Sequence, residues 1–209
     1  MLELPDGAKL PWDDGKTKDM AARIEAPDIE DLFAVPYRTG PIEPIRDPEH
    51  DPGRARVEPL FRAKYGATAA AVERALVPVR FAGHTVRIHK LVAEPLKRVD
   101  ERIAKLLEKD PSLARYFKSL GGTFNARAIA GTDRTSAHAW GIAIDIDVSL
   151  SDYWRNTPSS KPLVWVNRVP QSIVDAFEAE QFAWGGRWFH FDTMHFELRP
   201  ELFDPSCRH

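Results

Sequence analysis

Gly141-Ile142-Ala143-Ile144-Asp145-Ile146-Asp147-Val148 carries the clearest pattern in this 209-residue chain. Ile142, Ile144, Ile146 and Val148 alternate with Ala143, Asp145 and Asp147, a period of two that predicts a half-buried strand over all eight positions. Both aspartates then share one face. Two acids separated by one residue repel each other unless solvent or a cation compensates. The strand therefore has an apolar side suited to a core and an acidic side suited to chemistry.

Immediately before it lies Ser136-Ala137-His138-Ala139-Trp140-Gly141, which places His138 seven residues ahead of Asp145. Gly141 permits a sharp bend from loop into strand, so an imidazole before the bend and a carboxylate after it can converge. Taken alone, this pair reads equally well as a satisfied loop histidine and a surface aspartate. A third element, Arg187-Trp188-Phe189-His190-Phe191-Asp192-Thr193-Met194-His195-Phe196-Glu197-Leu198, predicts two strand fragments whose polar faces hold histidines and acids. Asp192 and His195 differ by three, so one straight strand would put them on opposite faces. For both to reach one site the pleat must break near Thr193-Met194, by a bulge or a turn.

The rest reads as scaffold. Val92, Leu96, Val99, Ile103 and Leu106 form one apolar stripe and predict a helix over 91–109, closed by Asp110-Pro111. Shorter helices are expected over 66–76 and 111–119, with a hairpin turning at Ala82-Gly83. Pro27, Pro36, Pro41, Pro44, Pro48 and Pro52 exclude long helices from the first part of the chain, whose Ile24, Ile29, Leu32, Phe33, Val35 and Tyr37 are nevertheless too apolar for a free linker. Residues 1–56 are therefore expected to be an extended proline-rich arm packed on a domain spanning 57–209. The fold class expected is α+β: a small, mainly antiparallel sheet bearing the site, with helices on its other face and the arm outside.

Composition excludes several functions. A net charge of −2 lacks the positive field that phosphate-backbone or anionic-membrane binding uses, so no nucleic-acid partner is expected. No apolar run approaches the roughly eighteen residues of a spanning helix. The single cysteine, Cys207, has no internal partner and reads as an incidental tail thiol. The opening MLELPDGAKLPWDDG shows no signal-peptide pattern. Oligomeric state is left open by the sequence.

His138, Asp145 and His195 together supply two imidazoles and a carboxylate, the three-ligand set that leaves a tetrahedral Zn2+ one open position for water. Asp192, three residues before a ligand, is then placed to accept that water's proton. SAHAWGIAIDID with DTMHFELRPEL resembles the VanY/VanX-type D-alanyl-D-alanine metallopeptidases, whose pattern is Ser-x-His-x-x-Gly-x-Ala-x-Asp followed by an acid-x-x-His. Ser136, His138, Gly141, Ala143, Asp145, Asp192 and His195 match it, and GGTFNARAIAGTDR resembles the branch with an arginine ahead of the serine-histidine motif. The similarity covers about residues 121–202, some 80 of the 209.

The resemblance implies zinc held by His138, Asp145 and His195, with Asp192 as general base in place of a more usual glutamate. It implies that Arg127 binds a substrate carboxylate or stabilises an oxyanion, and that Ser136 supports His138 or the substrate. The activity implied is hydrolysis of peptidoglycan stem peptides, first as a D-alanyl-D-alanine carboxypeptidase. An L-alanyl-D-glutamate-type endopeptidase is the alternative, and a non-catalytic binding module of the hedgehog-like zinc fold is a third. A periplasmic or cell-wall location follows from that substrate. Other residues remain two-sided: His190 as a partner of the site or a structural histidine, Asp147 as a site neighbour or a hydrogen-bonding residue, Arg134 as a substrate contact or a partner of Asp133. Tyr153, Trp154, Trp165, Trp184 and Trp188 read as groove or core, and Glu197 as solvent-facing or salt-bridged.

Overall fold

A computed structural model describes residues 1–127, 129 and 134–207, apart from the Cys207 side chain. The expectations for Cys207 as a tail thiol and for Asp133 as a partner of Arg134 lie outside the described residues. The order of elements is β1 (Leu2–Glu3), β2 (Lys9–Leu10), α1 (Met20–Glu25), α2 (Glu58–Tyr65), α3 (Ala69–Arg74), β3 (Leu76–Phe81), β4 (His84–His89), α4 (Lys90–Lys109), β5 (Ala143–Asp145), α5 (Gln171–Glu178), β6 (Phe182–Trp184) and β7 (His195–Leu198). The architecture is α+β, with small antiparallel sheets among several helices.

Local chemistry accounts for the scaffold. Ala82, at φ 47°, and Gly83, at φ 84°, turn β3 into β4, as the alternation on either side of them requires. Helix α4 starts one residue earlier than the stripe predicts because the His89 side chain caps it, accepting from Leu91 N at 3.2 Å. Val92, Leu96, Val99 and Ile103 are its buried side. The expected helix at 111–119 is a 3-10 turn over Pro111–Phe117, capped by Asp110. Residues of the first fifty also enter the core: Ile29 and Leu32 belong to the same buried cluster as Phe61, Leu96 and Ile144.

The sheet that matters for function is β5-β7-β6, antiparallel throughout. Its central strand β7 has two unlike faces. Phe196 stacks on Phe177 of α5 at 3.9 Å between ring centroids, and Phe177 also meets Phe182 of β6 at 5.6 Å. His195 and Glu197 alternate with Phe196 and so project from the opposite face. Helix α5 thus covers the apolar side of the sheet while its other side is left for polar residues.

Two expected strands are shorter than their patterns. The strand read over 141–148 is only Ala143–Asp145, because its partner β7 begins at His195, opposite Asp145. Beyond it Asp147 N donates to Tyr116 O at 2.8 Å, and the Asp147 carboxylate accepts from Ser149 N at 2.9 Å and Ser119 N at 3.2 Å. Asp147 therefore caps a 3-10 turn, Val148–Leu150, and is not a facial neighbour of Asp145. The fragment expected over 188–192 is not a strand. Its donors are taken by the segment 50–52 and by Gly185: Phe189 N by His50 O at 2.8 Å, the Trp188 indole by Pro52 O at 2.6 Å, His190 N by Asp51 Oδ1 at 3.0 Å, and Trp188 N and Asp192 N by Gly185 O at 3.4 and 3.0 Å.

The Phe177–Phe196 contact joins helix to sheet directly beneath the polar face. Phe177→Ala is expected to lower unfolding free energy by about 3–5 kcal/mol in chemical denaturation.

Candidate metal centre

Register does the first part of the assembly. Asp145 of β5 stands directly opposite His195 of β7, and cross-strand neighbours share a face. His195 Nδ1 lies 3.0 Å from Asp145 Oδ1. The third group arrives by the bend at Gly141, which closes the 3-10 turn Ala137–Trp140 in a left-handed conformation, φ 64°. A Cβ there would stand 2.6 Å from Leu76 Cδ2 and 3.2 Å from His89 N, so both conformation and space favour glycine. His138 Nε2 consequently lies 3.2 Å from Asp145 Oδ1 and 3.2 Å from His195 Nδ1.

The tautomers follow from the outer partners. His138 Nδ1 is 3.0 Å from Thr123 O, a carbonyl that can only accept, so Nδ1 carries the hydrogen. His195 Nε2 is 3.1 Å from the Glu197 carboxylate and donates to it. With both rings neutral, the inward-facing nitrogens His138 Nε2 and His195 Nδ1 are the ones that bear lone pairs, aimed at the carboxylate oxygen and at each other. Three acceptors within 3.2 Å require a positive centre between them. Ligand atoms around a tetrahedral zinc with bonds of about 2.0–2.1 Å stand roughly 3.3 Å apart, so the spacing and the donor set both fit such an ion.

Without a cation, the cluster polarises itself. Burial opposes charge on His195, but its hydrogen bonds to Asp145 and Glu197 and their charges outweigh this and push its pKa up to about 10. Burial likewise opposes charge on Asp145, yet the neighbouring His138 and His195 hold its carboxyl well below the usual range. Glu197 is fully buried, flanked by Arg56 Nη2 at 2.5 Å and Arg199 Nη1 at 2.8 Å. Of its two readings from sequence, salt-bridged is the one observed and solvent-facing is not. No sequence pattern points to Thr123, Arg56 or Arg199 as supports of the site, because each acts through tertiary proximity.

Asp192 reaches the same cavity from the turn preceding β7. Thr193 N and Oγ1 bond Asp152 O and N at 2.9 and 2.7 Å, the Trp184 indole donates to Thr193 O at 2.9 Å, and His195 N donates to Asp192 O at 3.1 Å. These bonds make the break in the pleat that the spacing demands. Gly185 lets the chain approach, since a Cβ there would collide with the Asp192 carbonyl. Asp192 Oδ1 is buried and has no hydrogen-bond partner among the described residues. Burial, with the Asp145 charge adding to it against His195 and His138, raises its pKa from 3.8 to about 6.

Ser136 caps the turn, its Oγ accepting from His138 N at 3.3 Å, so it supports the backbone of His138 while Thr123 orients the ring. Arg127 is exposed and borders the cavity, whose volume is about 270 Å³. Tyr153, Trp154 and Trp188 line it too, whereas Trp184 is fully buried in the core and Trp165 donates to Gly186 O at 2.9 Å. His190 borders the cavity with its Nδ1 held 2.7 Å from buried Asp51. Arg134 lies 3.5 Å from Glu25.

A carboxyl whose folded pKa lies above its unfolded value costs stability once the unfolded state ionises. That cost is absent below about pH 4, grows toward pH 6 and persists above it. Metal-free Asp192→Asn is therefore expected to be more stable than wild type at pH 7–8, by up to about 2–3 kcal/mol, with the gain vanishing near pH 4 in denaturant titrations.

No curated protein and no solved structure matches this chain in sequence or fold comparison. Residues 130–198, 69 of the 209, match the M15 peptidase family model described as D-alanyl-D-alanine carboxypeptidase, and His138, Asp145, Asp192 and His195 lie within the matched residues.

Proposed function

We propose that this protein is a zinc-dependent peptidoglycan peptidase that hydrolyses amide bonds of stem peptides, with D-alanyl-D-alanine carboxypeptidase as its activity. The observation that carries the reading is the convergence of two imidazole nitrogens and a carboxylate on one point, beside Asp192, whose Oδ1 is buried with no hydrogen-bond partner among the described residues. The match of residues 130–198 to a carboxypeptidase family supports the same conclusion.

His138, Asp145 and His195 would hold the ion, and Thr123 and Glu197 would keep both imidazoles in the ligating tautomer. Bound zinc supplies Lewis acidity, polarising a carbonyl and bringing the pKa of water toward about 7. Asp192 Oδ1 takes the proton of the attacking water and returns it to the departing amine as the C–N bond breaks. Burial raises this carboxyl in the metal-free protein, and a cation held beside it would favour its ionised form, the form that accepts a proton. Arg127 meets the carboxylate of the terminal D-alanine, a role suited to a planar bidentate donor. Trp154 and Trp188 wall the cavity and limit water around the reacting atoms.

Internal scission is the second reading. Arg127 also borders a neighbouring cavity of about 260 Å³, space that a longer leaving group could use if it passed this arginine. A peptidase on such stems would act outside the cytoplasm, in the periplasm or cell wall. A binding module without turnover would have no use for the shielded carboxyl of Asp192.

Purified protein is expected to carry about one zinc per chain by elemental analysis and to lose activity to a chelator, whereas His195→Ala is expected to lose the metal. Asp192→Ala is expected to retain zinc while kcat falls by roughly 10²–10⁴-fold. With defined muropeptides, release of free D-alanine supports the carboxypeptidase, and internal fragments alone would replace it with the endopeptidase. An Asp192→Ala protein with undiminished hydrolysis would remove the assigned base.

A further inference from the structure

The bonds that break the pleat before β7 also fix what stands beside Asp192. Trp154 N donates to Phe191 O and Thr193 N to Asp152 O, both at 2.9 Å, so Tyr153 and Asp192 face each other across an antiparallel bridge. The two bonds flank the pair and neither residue bonds the other, which is the closer of the two antiparallel pairings, with Cα atoms about 4.5 Å apart. Their side chains therefore leave the backbone on one face, next to each other, and both residues line the metal-site cavity.

The phenol is held in place while its hydroxyl is spare. Its ring meets the Trp154 ring edge-on at 6.3 Å between centroids, Trp154 meets His190 in the same way at 4.8 Å, and His190 is anchored on buried Asp51 at 2.7 Å. Other donors around the cavity are committed: the Trp188 indole to Pro52 O, Arg54 and His190 to Asp51, and Arg56 to Glu197. The Tyr153 hydroxyl has no hydrogen-bond partner among the described residues and is not sealed off from the cavity. Burial and the Asp192 charge push its pKa up against the guanidiniums of Arg155, Arg54 and Arg127, so it stays a neutral O–H donor.

We propose that Tyr153 is a further catalytic residue, whose hydroxyl donates a hydrogen bond to the scissile carbonyl oxygen as water adds to the carbonyl carbon. The proposal rests on the peptidase reading and extends it. The new C–O bond forms as the π pair of the carbonyl moves onto its oxygen, Asp192 takes the water's proton and later passes it to the amine, and Tyr153 keeps its own proton throughout. Attacking oxygen and carbonyl oxygen become neighbours on one carbon, so the groups that serve them must be neighbours too, as Asp192 and Tyr153 are. A donor already fixed by the bridge and by Trp154 needs no reorganisation when charge appears on the oxygen it faces. Because that charge is absent from the planar amide, the hydroxyl acts on kcat and hardly on KM.

The test is Tyr153→Phe in the full-length protein, which removes the hydroxyl and keeps the ring. Zinc content, Tm and the kinetics of muropeptide hydrolysis are compared with wild type. Isothermal titration follows a phosphinate isostere of the cleaved dipeptide, whose tetrahedral P–O⁻ carries the charge the hydroxyl would meet. Zinc content and Tm are expected to stay unchanged and KM to move by no more than about twofold, while kcat and phosphinate affinity each fall roughly 10²-fold. Unchanged kcat, or undiminished phosphinate affinity, would overturn the role. A raised KM at unchanged kcat would make the hydroxyl a ground-state contact, and loss of zinc or of Tm would make it structural; either overturns the proposal. Wild type that neither hydrolyses muropeptides nor binds the phosphinate would instead remove the peptidase reading itself, and this role with it.

Discussion

Two imidazoles with their lone pairs turned to one carboxylate oxygen are the constraint around which this molecule is arranged. Neither ring would keep that orientation unaided, because a neutral histidine can place its hydrogen on either nitrogen. Thr123 O holds His138 in one tautomer and Glu197 holds His195 in the other. The result is a cluster that needs a positive charge at its centre, a proton on His195 or a cation in its place. The surrounding protein must therefore hold the three groups together before any ion arrives, and the means are rigid: a cross-strand register, a glycine turn and a helix packed beneath the sheet.

The charges behind the site form a chain that reaches into the first part of the sequence. Glu197 is locked between Arg56 and Arg199, and Arg199 in turn binds Gly53 O and Glu201 while lying 5.1 Å over the Phe61 ring. A fully buried carboxylate is costly unless its partners are present, and removing one partner leaves an uncompensated charge. The segment around residues 50–58 is thereby tied to the orientation of His195. Asp51 repeats the arrangement at the cavity rim, accepting from Arg54 and from both donors of His190. The segment that completes these charges also supplies Arg54 and Arg56 to the wall of the metal-site cavity.

Period and composition in the chain itself were enough for part of the regular scaffold, though not for α2, α5 or β6. The apolar stripe of α4, the hairpin turn at Ala82-Gly83 and the placement of Gly141 between His138 and Asp145 are local patterns, and local patterns persist because the backbone has few states in which to realise them. The candidate residues His138, Asp145, Asp192 and His195 were visible for the same reason, since an acid or histidine in an otherwise apolar strand pattern stands out. The need for a broken pleat before His195 also followed from spacing alone.

Strand length was decided elsewhere. Ile146 and Asp147 continue the alternation, but β7 has no residues left opposite them, and an unpaired stretch takes whatever hydrogen bonds lie nearby. Trp188 to Asp192 alternate as well, yet their donors find the 50–52 segment and Gly185 first. The supports of the site, Thr123, Glu197, Arg56 and Arg199, lie outside any local motif, because hydrogen bonds and buried charges are satisfied by neighbours in space. The chain alone thus determined which groups are the candidates; only the folded structure decided that they meet, their charge partners and the shape of the space in front of them, since each of these depends on atoms distant in sequence.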